Sequence, residues 1–167
     1  KPLENICRGL LDLVKDQKDV HIVYPVHPNP AVRETAKTIL GGHERIFLLP
    51  PLNTDEMHNL MSKCYMVMTD SGGLQEEAPS LGKPVLVLRT ETERPEAVEA
   101  GTVKLVGTQR QQVFEVAKGL ITQKREYDSM ANAVNPYGDG FASRRIADGL
   151  LYFFNKTTLK PEEFTAK

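Results

Sequence analysis

Tryptophan is absent from this 167-residue chain, and cysteine is scarce, with only Cys7 and Cys64. Two thiols so far apart give neither a metal-ligand spacing nor a disulfide framework, and the plain reading is two free thiols in a reducing cytoplasm. An excess of charge is lacking too: the formal net charge is −1 at pH 7. That removes the electrostatic case for nucleic acid or an anionic membrane as partner. No apolar run approaches the ~20 residues that cross a bilayer, and no signal peptide is visible. No internal repeat, linker or low-complexity segment appears.

What is present is ordinary in composition and ordered in pattern. The apolar fraction is 40% and the charged fraction 26%, as expected of a soluble globular domain. The length suits one domain with a sizeable core, here read as residues 1–154, followed by a polar tail over 155–167 that is expected to fray. Helical periodicity begins at once after Pro2 and runs to Asp16, with no strand before it. The chain therefore reads as a piece of something longer. Apolar runs then alternate with helical segments: strands at Val20–Tyr24, Ile46–Leu49, Tyr65–Met68, Val85–Leu88 and Thr102–Val106, with helices between them. Five near-continuous apolar strands separated by helices predict an α/β fold. The expected architecture is a Rossmann-like parallel sheet with helices on both faces.

The centre of the pattern is Tyr65 to Val87, YMVMTDSGGLQEEAPSLGKPVLV. An apolar run stops at Thr69-Asp70. Ser71, Gly72 and Gly73 follow, then a helical segment from Leu74, then a second apolar run after Gly82-Lys83-Pro84. That is one βαβ unit. Free backbone N–H groups and the positive end of a helix dipole face outward at such a turn, which suits an anion, most often a phosphate. Glu76 and Glu77 are read as first-turn residues, and either one suits a capping box or sugar hydroxyls. Asp70 is read as an Asx turn. In parallel sheets the ligand lies beyond the carboxyl ends of the strands. The loops that should gather there are His27–Asn29, Pro50–Thr54, Asp70–Gly73, Arg89–Arg94 and Gly107-Thr108.

These loops carry a resemblance. YPVHPNP, TDSGGLQEEAPSLGKPVLVLR, TERPEAVEAGTVKLVGT and NPYGDGFASRRI stand in order and at close spacing. Together they resemble the carboxyl-terminal half of the non-hydrolysing UDP-N-acetylglucosamine 2-epimerases, from Lys1 to about Leu151. The resemblance implies one half of the glycosyltransferase-B (GT-B) architecture, the half that holds the nucleotide. It implies that Ser71, Gly72 and Gly73 contact the diphosphate, that Glu77 binds the ribose hydroxyls, and that Arg94 lies near the diphosphate and sugar. A guanidinium fork is well shaped for phosphate. Leu52 and Met57 match two positions lining the uracil pocket. Without the resemblance, Met57 reads as core and Arg94 as a surface arginine pairing with Glu93 or Glu96. His27 matches a histidine of a second, regulatory UDP-N-acetylglucosamine site in bacterial members; its alternative is a loop histidine held by Asn29 or the backbone. Tyr137 and Asp139, in the NPYGDG loop, are read as substrate contacts, or as a hinge or loop packing.

The implied partners are UDP, UDP-N-acetylglucosamine and an amino-terminal domain outside this sequence, with room for a homodimer of the full-length protein. No metal or other cofactor is called for. The implied reaction eliminates UDP from the sugar to leave a 2-acetamidoglucal, then adds UDP back after C2 is reprotonated from the other face. That requires acid and base groups on both sides of C2, and no such pair is present here. No catalytic residue is assigned, and the chain alone is expected to be inactive. Two alternatives share the architecture: the donor-binding domain of a GT-B glycosyltransferase, and a module that binds nucleotide sugar without catalysis.

Overall fold

A computed structural model describes residues 2–164. Lys1 and the last three residues of the expected tail lie outside the described residues. Elements alternate along the chain: α1 (Pro2–Asp16), β1 (Ile22–Pro25), α2 (Pro30–Leu40), β2 (Ile46–Leu49), α3 (Thr54–Lys63), β3 (Val67–Thr69), α4 (Gly72–Ser80), β4 (Val85–Val87), α5 (Pro95–Glu99), β5 (Val103–Leu105), α6 (Arg110–Thr122), α7 (Lys124–Ala131) and α8 (Ala142–Phe153). All strand pairs are parallel, as continuous apolar strands separated by helices require.

The strands form two ladders rather than one continuous hydrogen-bonded sheet. β1 pairs with β2, Ile22 opposite Ile46. β3, β4 and β5 form the second ladder, Val67 opposite Val85 and Val85 opposite Val103. The strands are three or four residues long, too short to carry pairing far past their centres. A shared core joins the ladders instead. Tyr24 of β1, Leu48 of β2 and Met68 of β3 pack on one cluster with Leu86.

The pleat of β4 explains why helices cover both faces. Leu86 points into a cluster with Cys7, Leu10 and Leu13 of α1, Leu40 of α2 and Val113, Ala117 and Leu120 of α6. Its neighbours Val85 and Val87 point the other way, to Met61 of α3, Ala78 of α4 and Ala97 of α5. All three β4 residues are 0% exposed, as a two-sided sheet demands. On the first face α1 and α6 approach so closely that a Cβ on Gly9 would stand 2.7 Å from the Arg110 carbonyl oxygen. The bidentate Arg110–Asp12 pair, at 2.6 and 2.8 Å, fixes the same contact from its rim.

β1 and β2 depart from the buried reading. Val23 and Phe47 sit on the face opposite the first core cluster and are substantially exposed. An apolar run in sequence marks a strand able to be covered twice; here helices α1, α2 and α6 cover one side. The tail departs from expectation as well. Asn155 takes a left-handed conformation, φ 54°, and the chain turns back. Pro161 then lies against Gly149 and the Phe164 ring against the Arg145 guanidinium, so residues 155–164 run along α8.

Candidate functional site

The site is built at the carboxyl end of β3. Thr69, the last strand residue, is buried, and its Oγ1 accepts from the Ser71 amide at 3.0 Å. A threonine-based turn thus takes the place of the Asx turn expected of Asp70, which stays exposed. Ser71 is the N-cap of α4, but its hydroxyl makes no capping bond, so Oγ remains available at the helix entrance. Helix α4 starts at Gly72, two residues before the expected Leu74. Neither Gly72 nor Gly73 has a positive φ. Their value is space: a Cβ on Gly72 would meet nothing within 4 Å, and one on Gly73 would be 3.6 Å from Glu77 Oε1 and 3.9 Å from Ser71 Oγ. The backbone N–H groups of the first turn are therefore open to close approach, with a hydroxyl and a carboxylate beside them.

The earlier start of α4 moves both glutamates into its second turn, and the first turn carries no acid. Neither forms a capping box or gains the dipole stabilisation that fades after the first turn. Adjacent positions lie about 100° apart on a helix, and the two acids accordingly face different partners. Glu77 reaches back over Gly73, and its Oε2 is 2.9 Å from His58 Nε2 of α3. Glu76 takes the Nε–H of Arg94.

Arg94 is thus paired, but with Glu76, while its Nη1 donates to the Glu93 carbonyl at 3.1 Å. The carboxylate beside it pushes the guanidinium pKa up, first through the hydrogen bond and then through charge. Its Nη2 has no hydrogen-bond partner among the described residues. The loop that carries Arg94 is fixed by Gln75. This residue is 1% exposed, a polar side chain on the buried side of α4 with Ala78. Its Nε2 donates to the Ser71 carbonyl at 3.2 Å, and its Oε1 accepts from Thr92 Oγ1 at 2.8 Å. Thr92 Oγ1 in turn accepts from the Arg94 amide at 3.1 Å. Sequence reading passed over Gln75 and Thr92. The available signal was a glutamine three residues before Ala78, on a helix face otherwise made of small apolar groups.

Leu52 and Met57 flank the start of α3. Asn53 caps that helix, its Oδ1 accepting from the Glu56 amide at 2.9 Å while Glu56 Oε2 accepts from the Asn53 amide at 3.0 Å. Leu52 is half-buried just before the cap, and Met57 packs on the second core cluster one turn after it. The core reading of Met57 is therefore met, and the His58–Glu77 contact ties its helix to α4. His27 is exposed beyond β1, and its Nδ1 accepts from the Asn29 amide at 3.2 Å. Among the described residues it makes no hydrogen bond or ion pair with the α4 group. In the NPYGDG loop, Asp139 is held by a bidentate pair with Arg145, both distances 2.7 Å. Tyr137 packs on the second cluster, and burial first, then the charges of Glu96 and Glu76, push its pKa up. No cluster of metal-ligating side chains occurs among the described residues.

The family model for UDP-N-acetylglucosamine 2-epimerase matches residues 1–151. The UDP-N-acetylglucosamine 2-epimerase of Bacillus subtilis is 50% identical over 167 residues, covering 100% of this chain and 44% of its own length. The S. aureus MnaA–UDP co-structure superposes with a TM-score of 0.94 at 53% identity, covering 99% of this chain and 45% of that one. The Neisseria meningitidis UDP-GlcNAc 2-epimerase bound to UDP-GlcNAc has a TM-score of 0.85 at 48% identity, covering 89% of this chain and 40% of that one. The chain spans less than half the length of these relatives. With a family model matched from residue 1 to residue 151, and with half the positions identical to a curated relative, the chain belongs to the UDP-N-acetylglucosamine 2-epimerase family.

Proposed function

We propose that this chain is the UDP-binding domain of a UDP-N-acetylglucosamine 2-epimerase. The observation that carries the reading is the convergence at the start of α4: open backbone around Gly72 and Gly73, the uncommitted Ser71 hydroxyl and the Glu77 carboxylate folded over the same turn. The diphosphate sits on the α4 N-terminus, held by the Ser71 hydroxyl and backbone amides. Arg94 adds a guanidinium with Nη2 to offer. Glu77 accepts from the ribose hydroxyls, releasing His58 as it does so. Leu52 and Met57 line the uracil side. His27 belongs to a second, regulatory nucleotide-sugar site outside this cluster.

In the parent enzyme the reaction interconverts UDP-GlcNAc and UDP-ManNAc. A base removes the C2 proton, the C1–O bond to UDP breaks, and UDP returns to C1 after C2 is protonated on the other face. The part played by this domain is to hold the departing diphosphate, where negative charge grows as the C1–O bond breaks. The proton-transfer groups lie in the portion of the relatives that this chain does not span.

The test is isothermal titration of the 167-residue chain with UDP, followed by a coupled assay for epimerisation. Binding in the micromolar-to-millimolar range without turnover is the expected result. An absence of heat and of thermal shift at millimolar UDP would overturn the binding role, and turnover by the pure chain would overturn the division of labour.

A further inference from the structure

Gln75 links two segments that the proposed diphosphate contact needs together, and nothing in the nucleotide reading assigns it. A buried amide is stable only with its hydrogen bonds made, and both ends of this one are used. Its donor end holds the glycine turn through the Ser71 carbonyl, and its acceptor end holds Thr92, which caps the Arg94 amide. The next residue, Glu76, then takes the Arg94 side chain. Two adjacent residues of α4 therefore fix the loop over 89–94, Gln75 through the Thr92 hydroxyl that receives the Arg94 amide and Glu76 through the guanidinium.

We infer that Gln75, acting through Thr92, is a positioning residue that presents Arg94 to the diphosphate of a bound nucleotide. The inference rests on the nucleotide reading above. Gln75 does not touch the ligand; it sets the distance between the phosphate-binding turn and the arginine. Without it the loop keeps only the Glu76 contact to the guanidinium, and Arg94 is less well aimed at the phosphate.

The test uses the 167-residue chain and two ligands that differ only in the diphosphate, UDP and uridine. Gln75→Met keeps the volume and removes the bonds to Ser71 and Thr92, and Thr92→Val, at a half-buried loop position, removes the bonds to Gln75 and to the Arg94 amide. Each is expected to lose about tenfold in UDP affinity, the scale of one charge-assisted hydrogen bond, with uridine affinity within about twofold of the parent. Thr92→Ser, which keeps the hydroxyl, is expected to restore UDP binding. In an Arg94→Ala background Gln75→Met is expected to cost nothing further, because the residue acts through Arg94. Hydrogen exchange at the Arg94 amide is expected to speed up in Gln75→Met and Thr92→Val without any ligand. Equal losses for UDP and uridine, additive losses in the Arg94→Ala background, or an unchanged Arg94 amide in Gln75→Met would each overturn the positioning role. Should the parent chain bind neither ligand, the nucleotide reading falls, and the Arg94 amide alone then decides whether Gln75 holds the loop.

Discussion

Strand β4 and helix α8 are both rich in large aliphatic side chains, and they end in opposite surroundings. Val85, Leu86 and Val87 of β4 are wholly buried between two helical layers. No residue of α8 is buried; Ile146, Leu150, Leu151 and Phe153 stand in solvent, Phe153 at 75% exposure. What fixes α8 is polar: the Asp139–Arg145 fork at its entrance, with the Phe164 ring on the same guanidinium. An apolar pattern thus marks a face able to be buried and says nothing of what covers it. That depends on which elements the topology brings alongside. β4 lies at the centre of its ladder and is covered twice, whereas α8 has the tail and Asp139 of the preceding loop against it.

The sharpest way to break the comparison is a matched pair of truncations. Leu86→Ala should cost about 2–5 kcal/mol of stability, from lost burial and an unfilled cavity. Ile146→Ala should stay within about 0.5 kcal/mol, as surface changes do. Urea unfolding of both variants checks this, and comparable losses would mean that α8 is covered after all.

Next in size is a contrast inside α4. Glu77→Gln should weaken UDP binding by roughly 1.5–3 kcal/mol, the scale of hydrogen bonds to a charged group. Its discrimination against 2′-deoxy-UDP should also fall, since Glu77 is the group proposed to read the ribose. Titration with both nucleotides measures the two effects. Glu76→Gln should leave that discrimination intact and act only through Arg94.

A smaller effect separates site from scaffold. A methyl on Gly73 meets only ordinary contact distances, and alanine is the better helix former, so Gly73→Ala should stabilise the fold by up to about 1 kcal/mol. The same methyl stands where the diphosphate should approach, so UDP affinity should drop. Melting temperature and titration heat moving in opposite directions is the expected outcome.

The smallest effect is electrostatic and belongs to α8. The Arg145 hydrogen bond holds the Asp139 carboxyl below its ordinary 3.8. The ionised form is favoured in the fold, so its contribution is present above that ordinary value and is lost as pH falls toward the lowered native one. Asp139→Asn should therefore flatten the acid limb of stability against pH and leave the neutral-to-alkaline region parallel to the parent. Thermal unfolding between pH 2 and about 7 measures it; an unchanged acid limb would mean that the fork contributes nothing.

Much of this was legible along the chain. Pro2, Pro30 and Pro95 open helices at their first positions, where the missing N–H costs nothing, and each helix starts as the sequence suggests, within a residue. The Ser71–Gly73 turn stands at the carboxyl end of a strand, as the parallel order requires. The start of α4 was misjudged by two residues because glycine favours no conformation, so propensity placed the helix at Leu74. That shift carried Glu76 and Glu77 out of the first turn, and with them the expected dipole effect.

By itself, the sequence determined the alternation of strands and helices, their parallel order and the position of the glycine turn. Those follow from local periodicity and from the short connections that force each helix to cross between neighbouring strands. Only the tertiary structure decided the partners: Glu76 with Arg94, Glu77 with His58, and Gln75 with both Ser71 and Thr92. The partners in the first, second and last of these links, Glu76–Arg94, Glu77–His58 and Gln75–Thr92, stand 17 to 19 residues apart along the chain. No local rule reaches that far; the packing of α3, α4 and the 89–94 loop over the carboxyl ends of the strands brings them within hydrogen-bond distance.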